Sequence, residues 1–181
     1  MKKTYFILFA FTVNTFYSFS QNTTIKPAKV DYDAYENLVA EVKEHRKNRL
    51  LDLNTFLKTS KEKNVIILDT RSDEMYNSKH IKGAVHLNFS DFTQANLDRL
   101  LLSKDTKILI YCNNNIDDDQ IMFATKAVVF PPPSTKKLTL ALNIPTYINL
   151  YGYGYKNVYE LSELVSVFDK RITFEGTSIL K

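Results

Sequence analysis

The 181-residue sequence predicts an α/β domain, a parallel sheet of about five strands with helices on both faces. Three observations carry that expectation. Short apolar runs at Val65–Leu68 and Ile108–Tyr111 are too brief for buried helices and rich in β-branched residues, the pattern of strands covered on both sides. Between them lie stretches with helical spacing of apolar residues, and strands alternating with helices imply parallel pairing. A hydrophobic content of 44% on a chain of this length is enough for one real core.

Taken in order, residues 31–47 place Tyr35, Leu38, Val39 and Val42 at helical spacing, an amphipathic helix leading into the domain. Leu50 and Leu51 read as a short strand, and Asp52 as the N-cap of a helix carrying Leu53, Phe56 and Leu57. After strand 65–68 come Asp69, Thr70 and Arg71, then a short helix over 72–78 capped by Ser72. Residues 84–87 form a third strand, 91–102 a helix with Phe92, Leu97, Leu100 and Leu101 inward, and 107–111 the next strand. A helix is expected from about Ser134 to Leu150, kinked by Pro145. Tyr147, Tyr151, Tyr153 and Tyr155 are expected to pack the C-terminal edge of the domain.

The N-terminus has a different character. Met1-Lys2-Lys3 is a basic start, Tyr5–Val13 a short apolar stretch, and Ser18-Phe19-Ser20 a small-x-small site before Gln21, together a secretory signal peptide over residues 1–20. The apolar stretch is far shorter than the ~20 residues of a membrane span, so no span is expected once the leader is removed, and the destination is the periplasm or the exterior. Loss of Lys2 and Lys3 reduces 24 basic residues to 22 against 20 acids, so a formal charge of +4 becomes +2. Those charges are scattered, which argues against nucleic acid as a partner.

Cys112 is the single cysteine. It cannot form an internal disulfide, so it is either a small buried hydrophobe or a thiol kept for chemistry. Its place at the end of an apolar strand, where α/β proteins deliver reactive groups to loops, favours chemistry. A thiol attacks as the thiolate, which needs positive charge or aimed amides, yet Asp117, Asp118 and Asp119 follow closely. One carboxylate at ~6 Å, at an effective dielectric of ~20, disfavours the thiolate by about 3 kcal/mol, or roughly two pKa units. Either the acids face solvent, or Asn113, Asn114 and Asn115 supply the amides with the acids beyond the mouth, or the site is degenerate. Three consecutive aspartates lack the alternating spacing of a calcium loop, and the loop has no arginine to fork a phosphate.

The stretch VIILDTRSDEMYNSKHIKGAVHLN, residues 65–88, resembles the first signature of the rhodanese-like family. Asp69, Arg71, Glu74, Tyr76, His80, Ile81, Gly83 and Ala84 match it in order and spacing. A strand ending Tyr111-Cys112 and a return segment from Gly154 to Leu161 match two further landmarks, so the likeness covers roughly residues 48–168. It implies a rhodanese-like fold in which Asp69, Arg71, Glu74, His80 and Gly83 are structural. It also implies a persulfide on Cys112, with the backbone of Asn113, Asn114, Asn115 and Ile116 around the substrate sulfur.

The active-site loop departs from the family pattern in its acids and in an insertion over 117–133. The expected organisation is a leader (1–20), an extension with a helix (21–47), the rhodanese-like domain (48–168) and a tail (169–181). No cofactor and no metal are expected. Three functions stay open: sulfur transfer between a sulfane donor and a thiol acceptor, a rhodanese-like module without turnover that holds a protein partner, and a redox or metallochaperone role for the lone thiol.

Overall fold

The computed structural model describes residues 26–101, 103–117 and 141–179. The chain divides into two units, 1–31 and 32–181. Of the first, only 26–31 are described, with the Val30 N–H donating to the Ala28 carbonyl at 3.0 Å; the leader lies outside the described residues. No helix among the described residues is long and apolar enough to cross a membrane.

The second unit is built on five parallel strands: β1 (Leu50–Leu51), β2 (Val65–Asp69), β4 (Val85–His86), β5 (Lys107–Tyr111) and β6 (Val158–Leu161), in the order β1-β6-β5-β2-β4. Strand β5 is therefore the middle of the sheet, and it aligns with β2 over its whole length, from Val65 opposite Lys107 to Asp69 opposite Tyr111. Alternation along a strand sends successive side chains to opposite faces. Ile67, Leu109 and Tyr111 pack on one face with Leu53 and Phe56 of α2 (Leu53–Thr59). Leu68, Ile108 and Ile110 pack on the other with α1 (Tyr32–Arg46), α4 (Gln94–Leu101) and α5 (Asn143–Gly152). Burial on both faces is why these strands are apolar without interruption.

The helix caps follow from local chemistry. Asp52 accepts from the Thr55 N–H at 2.7 Å at the start of α2, and Ser72 accepts from the Met75 N–H at 3.3 Å at the start of α3 (Asp73–Ser78), each satisfying an otherwise orphaned donor.

Three features differ from the sequence reading. On α1, Val42 is buried and Leu38 packs against the core, but Tyr35 and Val39 are 47% and 36% exposed. Helix α5 begins at Asn143, with Ala141 and Leu142 before it outside the helix, and residues 134–140 of the expected helix lie outside the described residues. Pro145 falls in its first turn, before the Thr146 N–H makes the bond to the Leu142 carbonyl at 3.0 Å; it breaks no helical hydrogen bond, so it marks a helix start rather than a kink. Finally, the segment read as a tail enters the fold. Strand β7 (Phe174–Glu175) pairs antiparallel with β3 (His80–Ile81), and Ile172 and Phe174 are buried in the core.

Candidate functional site

Cys112 follows the last residue of β5, at the carboxyl end of the central strand, and is 2% exposed. A 3-10 turn, Asn113–Asn115, comes next. The backbone N–H groups of Leu142, Asn113 and Asn114 are directed at the sulfur, and the charge of Arg71 acts on it as well. Leu142 is the N-cap of α5 and has no side-chain cap bond, so this amide brings the positive end of the helix to the thiol. Burial nevertheless dominates: it pushes the Cys112 thiol above its ordinary value, and the three amides and Arg71 only partly offset it.

The four residues expected to bind substrate divide. Asn113 and Asn114 supply amides to the sulfur. The Asn115 N–H donates to the Cys112 carbonyl at 2.9 Å, while its side chain accepts from the Cys112 N–H at 3.0 Å and donates to the carbonyls of Leu161 and Glu163 at 2.8 and 3.1 Å. Asn115 thus pins the turn to the end of β6. The Ile116 N–H goes to the Asn113 carbonyl at 3.0 Å and its side chain is 1% exposed, so Ile116 closes the turn and belongs to the core. The Leu142 amide takes the place expected for it. Pro145 was the available signal, since proline in a first turn places the helix N-terminus, and with it a free amide, just upstream.

The Asp-x-Arg motif supports the loop from beneath. Asp69 is fully buried and Arg71 3% exposed. The Arg71 guanidinium donates to Asp69 through Nε at 3.0 Å and Nη2 at 2.7 Å, to the Asn113 side chain at 2.9 Å and to the Lys79 carbonyl at 2.6 Å. Tyr111 adds its hydroxyl, which donates to Asp69 and accepts from the Ile81 N–H at 3.0 Å. Burial opposes the charge on Arg71, and the bonds and charge of Asp69 more than offset it.

His80 contacts the Tyr76 carbonyl through Nδ1 at 2.7 Å and stacks on the Tyr76 ring at 3.9 Å. Gly83 has φ +78° with open space where a Cβ would stand, so the backbone angle is what requires glycine. Glu74 is exposed on α3. His86, which sequence reasoning passed over, meets the Arg71 carbonyl through Nε2 at 2.8 Å and stacks on Tyr76 at 4.5 Å.

Of the three acids, Asp117 is exposed, with its N–H donating to the Val165 carbonyl at 2.9 Å; Asp118, Asp119 and the rest of the insertion lie outside the described residues. Above Cys112 opens a cavity of about 240 Å³, walled by Met75 of α3, Phe89, Leu142 and residues Thr70, Arg71 and Ser72, with Asn88, Ser90 and Asn113 on its lining. No cluster of metal-ligating side chains occurs among the described residues.

The sequence model of the family described as the rhodanese-like domain matches residues 52–163. The chain belongs to the rhodanese-like family. Among curated proteins no match is found. Similar solved structures include the BH2092 protein from Bacillus halodurans, 21% identical over 81% of this chain and 87% of that one, with a TM-score of 0.47. A rhodanese with anions from E. coli is 15% identical over 62% of this chain and 99% of its own, with a TM-score of 0.38. Wild-type EanB is 18% identical over 65% of this chain, which spans 24% of EanB, with a TM-score of 0.43.

Proposed function

We propose that this rhodanese-like protein is an exported sulfurtransferase that carries sulfur as a persulfide on Cys112. The observation that supports this reading is the convergence of the Leu142, Asn113 and Asn114 amides on a sulfur at the end of the central strand, an arrangement suited to a thiolate and to the terminal anion of a persulfide. The Cys112 thiolate attacks the outer sulfur of a sulfane donor. A new S–S bond forms, the donor's S–S bond breaks, and the leaving group departs with that electron pair. An acceptor thiolate then attacks the outer sulfur of the persulfide and regenerates Cys112, so the cycle is redox-neutral.

The test is mass spectrometry after exposure to a sulfane donor. A gain of about 32 Da on Cys112, the mass of one sulfur atom, is expected, and Cys112→Ser should stay folded and gain nothing. A folded wild-type protein that never gains this mass from thiosulfate or an organic persulfide overturns the assignment. That outcome favours the second reading, an envelope binding module without turnover, which the burial of Cys112 and its raised pKa support. Export is tested separately: protein from its native envelope should begin near Gln21, and a chain retaining residues 1–20 would contradict it.

A further inference from the structure

Resting on the sulfur-transfer reading, we infer that the donor is a persulfide of an apolar organic thiol, selected over small dianions such as thiosulfate by the wall of Met75, Phe89 and Leu142. The cavity over Cys112 holds about 240 Å³, the liquid volume of about eight waters, which is room for an organic group beyond the transferred sulfur. Three of the described lining residues have large apolar side chains: Met75 from α3, Phe89, which packs against Phe92 at 5.3 Å, and Leu142. Arg71 is the charged side chain among the described lining residues, and its guanidinium is committed to Asp69, Asn113 and the Lys79 carbonyl. A doubly charged donor entering this space gives up hydration that the side chains of Met75, Phe89 and Leu142 do not replace. An alkyl or aryl group gains by leaving water.

The step itself balances without another reagent. Cys112 Sγ, as the thiolate, attacks the outer sulfur of R–S–S–H. The Cys112–S bond forms, the S–S bond of the donor breaks, R–S⁻ leaves with its electron pair, and the proton of the outer sulfur is released to solvent or to R–S⁻. Met75 and Phe89 touch the R group rather than the reacting atoms, so they set specificity.

The experiment follows sulfur gain at Cys112 in the full chain with benzyl hydropersulfide and with thiosulfate, dividing each second-order rate constant by that of N-acetylcysteine with the same donor. The normalised preference for benzyl hydropersulfide should be about tenfold or more, equivalent to about 1.4 kcal/mol; a smaller preference overturns the inference. Phe89→Ala should lower the benzyl rate several-fold relative to the thiosulfate rate, so that the normalised preference for benzyl hydropersulfide falls. Met75→Lys, which adds a cation to the wall without removing an aromatic, should raise the thiosulfate rate, and it decides the matter if Phe89→Ala proves unfolded. Thiosulfate rates unmoved by Met75→Lys in a folded variant count against the wall as the selector. Sulfur gain from neither donor sinks the sulfur-transfer reading and this inference with it, whereas gain from both without preference sinks only the inference.

Discussion

At Cys112 burial and backbone geometry oppose each other, and burial wins. Removing the thiol from water raises its pKa, while three amides and Arg71 pull the other way. Alkylation by iodoacetamide should therefore follow a pH profile with its midpoint above that of free cysteine, and a midpoint below it would contradict this balance. The linkage has a definite sign. Below the thiol pKa of the unfolded chain both states hold the proton and Cys112 adds no pH dependence. Above it the unfolded chain ionises first, so stability falls as pH rises toward the folded pKa, and Cys112→Ser should abolish that part of the alkaline loss. Under the same loop, Arg71→Met leaves the fully buried Asp69 carboxylate without its main partner. It should cost about 3–5 kcal/mol in urea unfolding, much more than substitution of the exposed Glu74.

Among the elements, α5 matters most for the site because its N-terminus supplies an amide to the sulfur. Pro145 fits its first turn without loss of a hydrogen bond, so Pro145→Ala should shift stability by less than about 1 kcal/mol. A proline in mid-helix, by contrast, costs about 3 kcal/mol, and a gain of that size in the alanine variant would restore the kink reading. Gly83, at φ +78° between β3 and β4, works in the opposite sense. Gly83→Ala meets no atom but must hold a left-handed backbone, and its expected cost is about 1–2 kcal/mol, measurable as a lower thermal midpoint.

For the whole of the second unit, the family match ends at residue 163 but the core does not. Ile172 and Phe174 bury against the face that holds Leu109 and Tyr111, and the Gly176 backbone passes so close to the Ser78 carbonyl that a Cβ would stand 2.3 Å from it. Deleting residues 169–181 uncovers this face and should destabilise the protein by about 3–5 kcal/mol, the range for losing a large core side chain; an unchanged urea midpoint would show the segment to be a dispensable tail. At the other end, Arg46 of α1 donates through Nη2 to the buried Glu160 at 2.6 Å, so the N-terminal helix is tied to β6 by charge as well as by Val42.

What the sequence determined alone was whatever depends on neighbours along the chain. Apolar runs between capped helices specify a parallel sheet, and the spacing from Asp69 to Gly83 specifies how the chain leaves β2. The position of Cys112 at the end of β5 follows from that same local pattern. Contacts distant in sequence left no such trace. The Leu142 amide reaches Cys112 across thirty positions of chain, and the Arg71 to Asn113 bond spans 42; β7 returns to β3 from nearly a hundred residues away. An amide has no residue-type signature and a two-residue strand has too little pattern to declare its partner. Only the packed sheet, which brings the ends of β2, β5 and α5 to one point, decides that the sulfur is deeply buried, approached by amides and faced by a cavity that Met75, Phe89 and Leu142 help to line.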